Sequence, residues 1–220
     1  MTEKLEAVEI STGEAPAASI VWLHGLGADG NDFTPIVPEL DLPCAVRFVF
    51  PHAPARAVTI NMGARMRAWY DILSLQRTDL EDEAGIRDSA ESVARLVERE
   101  RGRGIEANRI VLAGFSQGGA IALHQGLRHP QRLAGILALS TYLPLGWTLQ
   151  EERAVANEDV PIFMAHGAVD NVLPESLGLT SRAQLEEFGY SVEWHSYPMA
   201  HSVCPEEIAD IGRWLNRVLS

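Results

Sequence analysis

Arg109-Ile110-Val111-Leu112-Ala113-Gly114-Phe115-Ser116-Gln117-Gly118-Gly119-Ala120 decides how this chain folds. An aliphatic, β-branched run ends in Gly-x-Ser-x-Gly, and Ala120-Ile121-Ala122-Leu123 continues as an apolar, helix-compatible run. Strand, sharp turn and helix in that order form the setting of a nucleophile elbow. In so tight a turn a Cβ two residues either side of the serine would meet neighbouring backbone, so glycine is required at both places. The pattern predicts a strained Ser116 with its hydroxyl at the sheet edge, above a helix N-terminus.

Working outward, apolar runs recur on both sides of the elbow. Ala18–Leu23 is apolar throughout, as a strand buried on both faces must be, and Ala45–Phe50 is another strand, stopped by Pro51-His52-Ala53-Pro54. Leu5–Ile10 alternates loosely and predicts an edge strand. Downstream, Ala134–Leu139, Pro161–His166 and Ser191–Tyr197 complete the strand set. Between them, Glu83–Gly102, Ser116–His129, Pro174–Phe188 and a final segment with Ile208, Ile211, Leu215 and Val218 on one face read as helices. Asn31 or Asp32 is placed to cap a short helix through Phe33, Ile36 and Val37. Alternating strands and helices, with no repeat or linker, predict one α/β domain over 1–220 with a mostly parallel central sheet flanked by helices. The gap 141–159 is too short for a large lid domain.

Bulk properties narrow the function. The 220 residues are 46% hydrophobic and 22% charged, which suits a soluble domain able to bury a core. A net charge of −12 argues against nucleic acid and anionic membrane surfaces as partners. Met1-Thr2-Glu3-Lys4-Leu5-Glu6 lacks a basic region followed by an apolar core, so a cytoplasmic protein without stable membrane insertion is expected. Cys44 and Cys204 give neither a disulfide framework nor metal spacing, and no metal or organic cofactor is expected.

In sheets of this kind, functional groups gather at the C-terminal ends of the strands. His24-Gly25-Leu26-Gly27-Ala28-Asp29-Gly30 follows such a strand, and its glycines allow backbone N–H groups to converge on one point, as a developing oxyanion requires. A serine hydroxyl needs a histidine base that is held in one tautomer by a carboxylate. With the order serine, acid, histidine, Asp170 is the acid, one short turn after the Pro161–His166 strand. Asp159 lies at the wrong end of that strand, and Asp210 lies in the last helix. His201 follows the last strand through Tyr197-Pro198-Met199-Ala200 and is the base. His166, ending a buried strand, is expected to be structural. Ile72-Leu73-Ser74-Leu75 is apolar without a periodic partner. It belongs either to the core or to a loop over the site.

Several short stretches run together in one order over nearly the whole chain. They are Leu23-His24-Gly25-Leu26-Gly27, Pro51-His52-Ala53-Pro54, Trp69-Tyr70-Asp71-Ile72, Glu81-Asp82-Glu83-Ala84-Gly85-Ile86, the Gly114–Gly119 elbow, His166-Gly167 with Asp170, and His201-Ser202. In these the chain resembles the carboxylesterase and acyl-protein thioesterase family of α/β-hydrolases. The resemblance implies a Ser116–Asp170–His201 triad and an oxyanion hole formed by the N–H groups of Leu26 and Gln117. It also implies an acyl groove bordered by Leu73 and Leu75, with Trp69 among the substrate-binding residues. One departure is Ala200, where similar bacterial enzymes often have glycine; it bears on the setting of the histidine loop. The implied activity is hydrolysis of esters of short to medium acyl chains through an acyl-enzyme. Thioesters on acylated proteins and lysophospholipids are the alternatives, in a monomer or weak homodimer. A non-catalytic ligand-binding version of the fold would show an eroded triad or elbow, and neither is eroded.

Overall fold

Hydrophobic runs too short for helices must pair with one another, and here they do so in a single sheet. The computed structural model describes residues 5–74 and 80–220. Its strands are β1 (Ala7–Ser11), β2 (Ala18–Leu23), β3 (Val46–Pro51), β4 (Ala55–Val58), β5 (Ala64–Arg67), β6 (Ile110–Phe115), β7 (Gly135–Leu139), β8 (Ile162–Gly167) and β9 (Val192–Tyr197). The helices are α1 (Glu83–Gly102), α2 (Gln117–Arg128), α3 (Leu149–Glu152), α4 (Glu175–Glu187) and α5 (Pro205–Val218). The main sheet runs β1-β3-β2-β6-β7-β8-β9, with only β1 antiparallel. The expected α/β architecture is therefore present, and the elbow strand β6 stands at its centre.

Successive residues of the central strands point to opposite faces, which builds two cores. Val21, Leu23, Ile110 and Leu112 pack with α1, α2 and α4 on one face. Ile20, Trp22, Val111 and Ala113 pack with α5 on the other, where Ile211, Trp214 and Leu215 are buried. The 141–159 segment folds down as two 3-10 turns and α3, with Leu143, Leu145 and Leu149 in the core, and forms no lid domain.

Three local expectations need correction. The 33–39 segment is a 3-10 helix (Thr34–Glu39) entered from Phe33 with no side-chain cap; Pro38 inside it cannot donate to an α-helical ladder. Asn31 and Asp32 do not cap it; instead Asp29 Oδ1 accepts from the backbone N–H of Asn31 at 2.7 Å. Residues from Ala55 to Arg67 form a hairpin, β4–β5, for which the sequence gives no strand signal. Its Ala-Arg-Ala-Val and Ala-Arg-Met-Arg strands are four residues each and alanine-rich, too short and too poor in β-forming residues to be read as strands.

Buried titratable groups make the fold sensitive to pH. His124 on α2 and His129, just past its end, are 2% and 1% exposed. Burial, joined by the charges of Arg128 and Arg87, pushes His124 down to about 3, and burial also lowers His129. Below an unfolded value of about 6.5 the unfolded chain binds protons that the folded one refuses, so stability falls with acid by up to about 1.4 kcal/mol per pH unit per histidine. Glu207 works oppositely: burial raises it to about 8, and its contribution is lost as pH rises toward that value. The comparison that isolates the histidine is the urea midpoint of His124→Gln against wild type from neutral to mildly acid pH. The variant is expected to lose less stability than wild type over that interval. Parallel profiles would contradict the assignment.

Candidate active site

The elbow explains its own glycines. A Cβ on Gly114 would lie 2.3 Å from the Gly118 carbonyl carbon, and one on Gly118 would lie 2.3 Å from the Leu23 oxygen and 2.6 Å from that of His24. Both contacts are with backbone, which cannot swing aside. Between them Ser116 adopts φ 54°, ψ −121°, a conformation that costs about 1–3 kcal/mol and persists only where surroundings impose it. Here its N–H donates to Leu139 O at 2.8 Å, and its carbonyl accepts from Thr141 Oγ1 at 2.7 Å. Ser116 is the cap residue of α2, so Gln117 opens the helix with an N–H that has no intrahelical acceptor.

The candidate acid and base follow the two neighbouring strands β8 and β9. Asp170 follows β8, and its side chain is fully buried. Its Oδ2 lies 2.6 Å from Nδ1 of His201, and its Oδ1 accepts from the N–H groups of Val172 and Leu173, both at 2.9 Å. Burial pulls the carboxyl upward, but the bonds from His201, Leu173 and Val172 outweigh it and hold the group below its ordinary value. As a carboxylate it accepts a hydrogen bond from Nδ1–H of His201, which leaves Nε2 as the ring's accepting nitrogen. The imidazole leans on Phe115, ring centroids 4.7 Å apart. His166 is structural as expected: buried, with Nε2 2.8 Å from Leu173 O, so it steadies the loop that holds Asp170. The histidine loop accommodates Ala200 because that residue does not have positive φ. The glycine that the loop needs is Gly167, where a Cβ would lie 2.3 Å from the Ala200 oxygen and 2.4 Å from that of Met199.

Ser116, His201, Gly25, Leu26 and Gln117 share one cleft of about 270 Å³. The loop after β2 is pressed against the elbow, since a Cβ on Gly25 would come 3.6 Å from that of Ser116. Gly27, at φ 77°, turns the loop, and its N–H donates to Arg67 O at 2.8 Å. The β4–β5 hairpin therefore braces this loop. His24 is buried; its Nε2 accepts from Ala53 N–H at 3.0 Å, so Nδ1 carries the proton and donates to Gly25 O at 2.7 Å. Burial keeps it below its ordinary value, in the neutral form that this pattern requires.

Ile60, Ile72, Leu73, Leu80, Val172 and Leu177 form the apolar wall of the cleft. Leu73 is 41% exposed and lines the space, which favours the groove over the core for this residue. Leu75 lies outside the described residues. Trp69 does not line the cleft: it is 0% exposed, and its indole N–H donates to His24 O at 2.9 Å behind the loop. Its expected place among substrate-binding residues is thus corrected to a buried one. Sequence reasoning also missed Tyr70 and Tyr142, whose hydroxyls meet at 2.8 Å beside the cleft, and Glu81, whose carboxylate receives Leu145 N–H. Burial raises both tyrosines, Tyr142 to about 12, and raises Glu81. They converge from positions far apart in sequence, so no local pattern signals them. Among the described residues no cluster of His, Cys, Asp and Glu is arranged to hold a metal, and no helix is long and apolar enough to cross a membrane.

The chain is similar to known proteins over nearly its whole length. The phospholipase/carboxylesterase family model matches residues 5–219. Acyl-protein thioesterase 1 of Mycosarcoma maydis is 39% identical, with 94% of each chain covered. The crystal structure of Zea mays acyl-protein thioesterase 2 superposes with TM-score 0.88 at 29% identity, covering 98% of this chain and 99% of the other. That of esterase PE8 gives TM-score 0.83 at 25% identity, covering 99% and 100%.

Proposed function

The chain belongs to the phospholipase/carboxylesterase family, and on that premise we propose that Ser116, Asp170 and His201 are its catalytic triad, with Leu26 and Gln117 forming the oxyanion hole. The protein is a serine hydrolase of carboxylic esters. The observation that carries the residue assignment is the 2.6 Å Asp170–His201 pair at a cleft shared with an elbow serine. His201 Nε2 takes the hydroxyl proton as Ser116 Oγ bonds to the substrate carbonyl carbon. The carbonyl oxygen becomes an oxyanion facing the two N–H groups, and collapse expels the alcohol or thiol with the proton from His201. Water, deprotonated by the same imidazole, then attacks the acyl-serine and releases the acid.

The apolar wall suits short to medium acyl chains. Relatives named acyl-protein thioesterase support a second substrate class for the same triad, thioesters on acylated proteins. Matched ester and thioester series, compared by kcat/KM, separate the two preferences. The same series tests the wall. Burying one methylene is worth about 0.8 kcal/mol, roughly fourfold in kcat/KM, so activity rises with chain length until the cleft is full. Leu73→Ala is expected to flatten that rise and leave acetyl esters nearly unaffected, with little change in the unfolding midpoint because the side chain is 41% exposed. An unchanged length profile would remove Leu73 from the groove.

A further inference from the structure

Gln117 does more than present an N–H. Its side chain is buried, 2% exposed, and both ends of the amide are used: Oε1 accepts from the Trp69 backbone N–H at 2.8 Å and Nε2 donates to Tyr70 O at 2.7 Å. One partner is a donor and the other an acceptor, so only a carboxamide in this orientation satisfies both. Trp69 passes the connection on. Its indole N–H donates to His24 O at 2.9 Å, and its own carbonyl is held by the Ser89 hydroxyl. His24 then closes on Gly25 O through Nδ1 at 2.7 Å and on Ala53 N–H through Nε2. The circuit runs from the first residue of α2, through 69–70, to the loop that carries Leu26.

We propose that the Gln117 carboxamide and the Trp69 indole N–H are positioning groups that fix the two oxyanion donors relative to each other. The inference rests on the reading that Leu26 and Gln117 form the hole. Neither peptide is held to the other by strand pairing at that point, since β2 and β6 end their ladder at Leu23 and Gly114. Beyond the ladder, backbone packing of Gly118 against the Leu23 and His24 carbonyls brings the two loops together, and the side-chain hydrogen bonds add the directional link between the donors. Filling the core needs no such polar circuit; a leucine and a phenylalanine would suffice. Alignment of preorganised donors, by contrast, decides how much they stabilise developing charge.

Two variants of the full chain test this on an activated short-chain ester. Trp69→Phe keeps an aromatic ring but removes the indole N–H together with the pyrrole half of the side chain, so its kcat is read beside its unfolding midpoint. It is expected to lower kcat about tenfold, less than outright loss of a donor, with KM changed by less than about twofold. Gln117→Glu places an oxygen against Tyr70 O. When protonated, the introduced carboxyl can donate to that carbonyl again, so the ratio of variant to wild-type kcat is expected to climb severalfold as pH falls from about 8 to about 5.5. A core-filling role would move the unfolding midpoint but leave Trp69→Phe at wild-type kcat and the ratio level across pH; either result overturns the proposal. Should Gln117→Glu fail to fold, Trp69→Phe decides alone. Fluorophosphonate labelling of wild type separates this outcome from failure of the parent reading. Without labelling at Ser116 the site itself is misassigned; with labelling and an unaffected Trp69→Phe, only the circuit is.

Discussion

Ser116→Ala is expected to fold normally and to lose roughly 10³-fold or more in kcat on an activated ester. The fold grips this residue through its backbone, by the Leu139 carbonyl and the Thr141 hydroxyl, and alanine keeps both bonds. The strain at φ 54° also remains, because alanine has a Cβ as serine does. Stability is therefore expected to match wild type closely while the nucleophilic oxygen is gone. Activity that survives in other triad enzymes without their nucleophile comes from binding and the oxyanion hole alone. The measurement is steady-state turnover beside a urea unfolding curve. A variant with an intact midpoint and more than about a tenth of wild-type turnover would mean that another group attacks the ester.

Asp170→Asn is the second large effect, expected at about 10³- to 10⁴-fold in kcat. The carboxylate accepts three hydrogen bonds, from His201, Val172 and Leu173. The asparagine carbonyl can retain the two backbone donors, but its NH₂ then faces His201 Nδ1 and selects the tautomer with the proton on Nε2, which cannot accept from serine. Asp170 stays ionised below the ordinary carboxylate range, because its bonds to His201, Leu173 and Val172 outweigh its burial. The stability that those bonds confer is present above the unfolded value of about 3.9 and is lost only as pH falls through the lower folded one. An Asp170→Asn enzyme within tenfold of wild type would remove this residue from the triad.

The parts of the site written in local pattern were legible in advance. The elbow glycines are demanded by backbone within a few residues of Ser116, and β2, β6, β7 and β8 show as apolar runs because both their faces are buried. Asp170 and His201 followed from chain order and from their places after strands. The hairpin β4–β5 was missed because arginine alternates there with small residues, and it is held mainly by backbone pairing. Trp69 was misplaced for a different reason. An aromatic residue beside an expected groove reads as a substrate contact, and only the 45-residue link to the His24 carbonyl shows it facing the other way. The Gln117 carboxamide was invisible for the same reason: its partners lie 47 and 48 residues distant.

Sheet order gives the catalytic groups unequal footing. The proposed nucleophile follows β6, hydrogen-bonded along both margins by β2 and β7, while the proposed base His201 follows β9, which among the described residues pairs in the sheet with β8 alone. Border strands open at lower free energy than interior ones. The proposed attacking oxygen is thus anchored on an interior strand and the proposed proton carrier on a border one. Heat or mild denaturant that loosens this border is expected to withdraw the imidazole while the interior remains intact, so that turnover is lost before the unfolding transition.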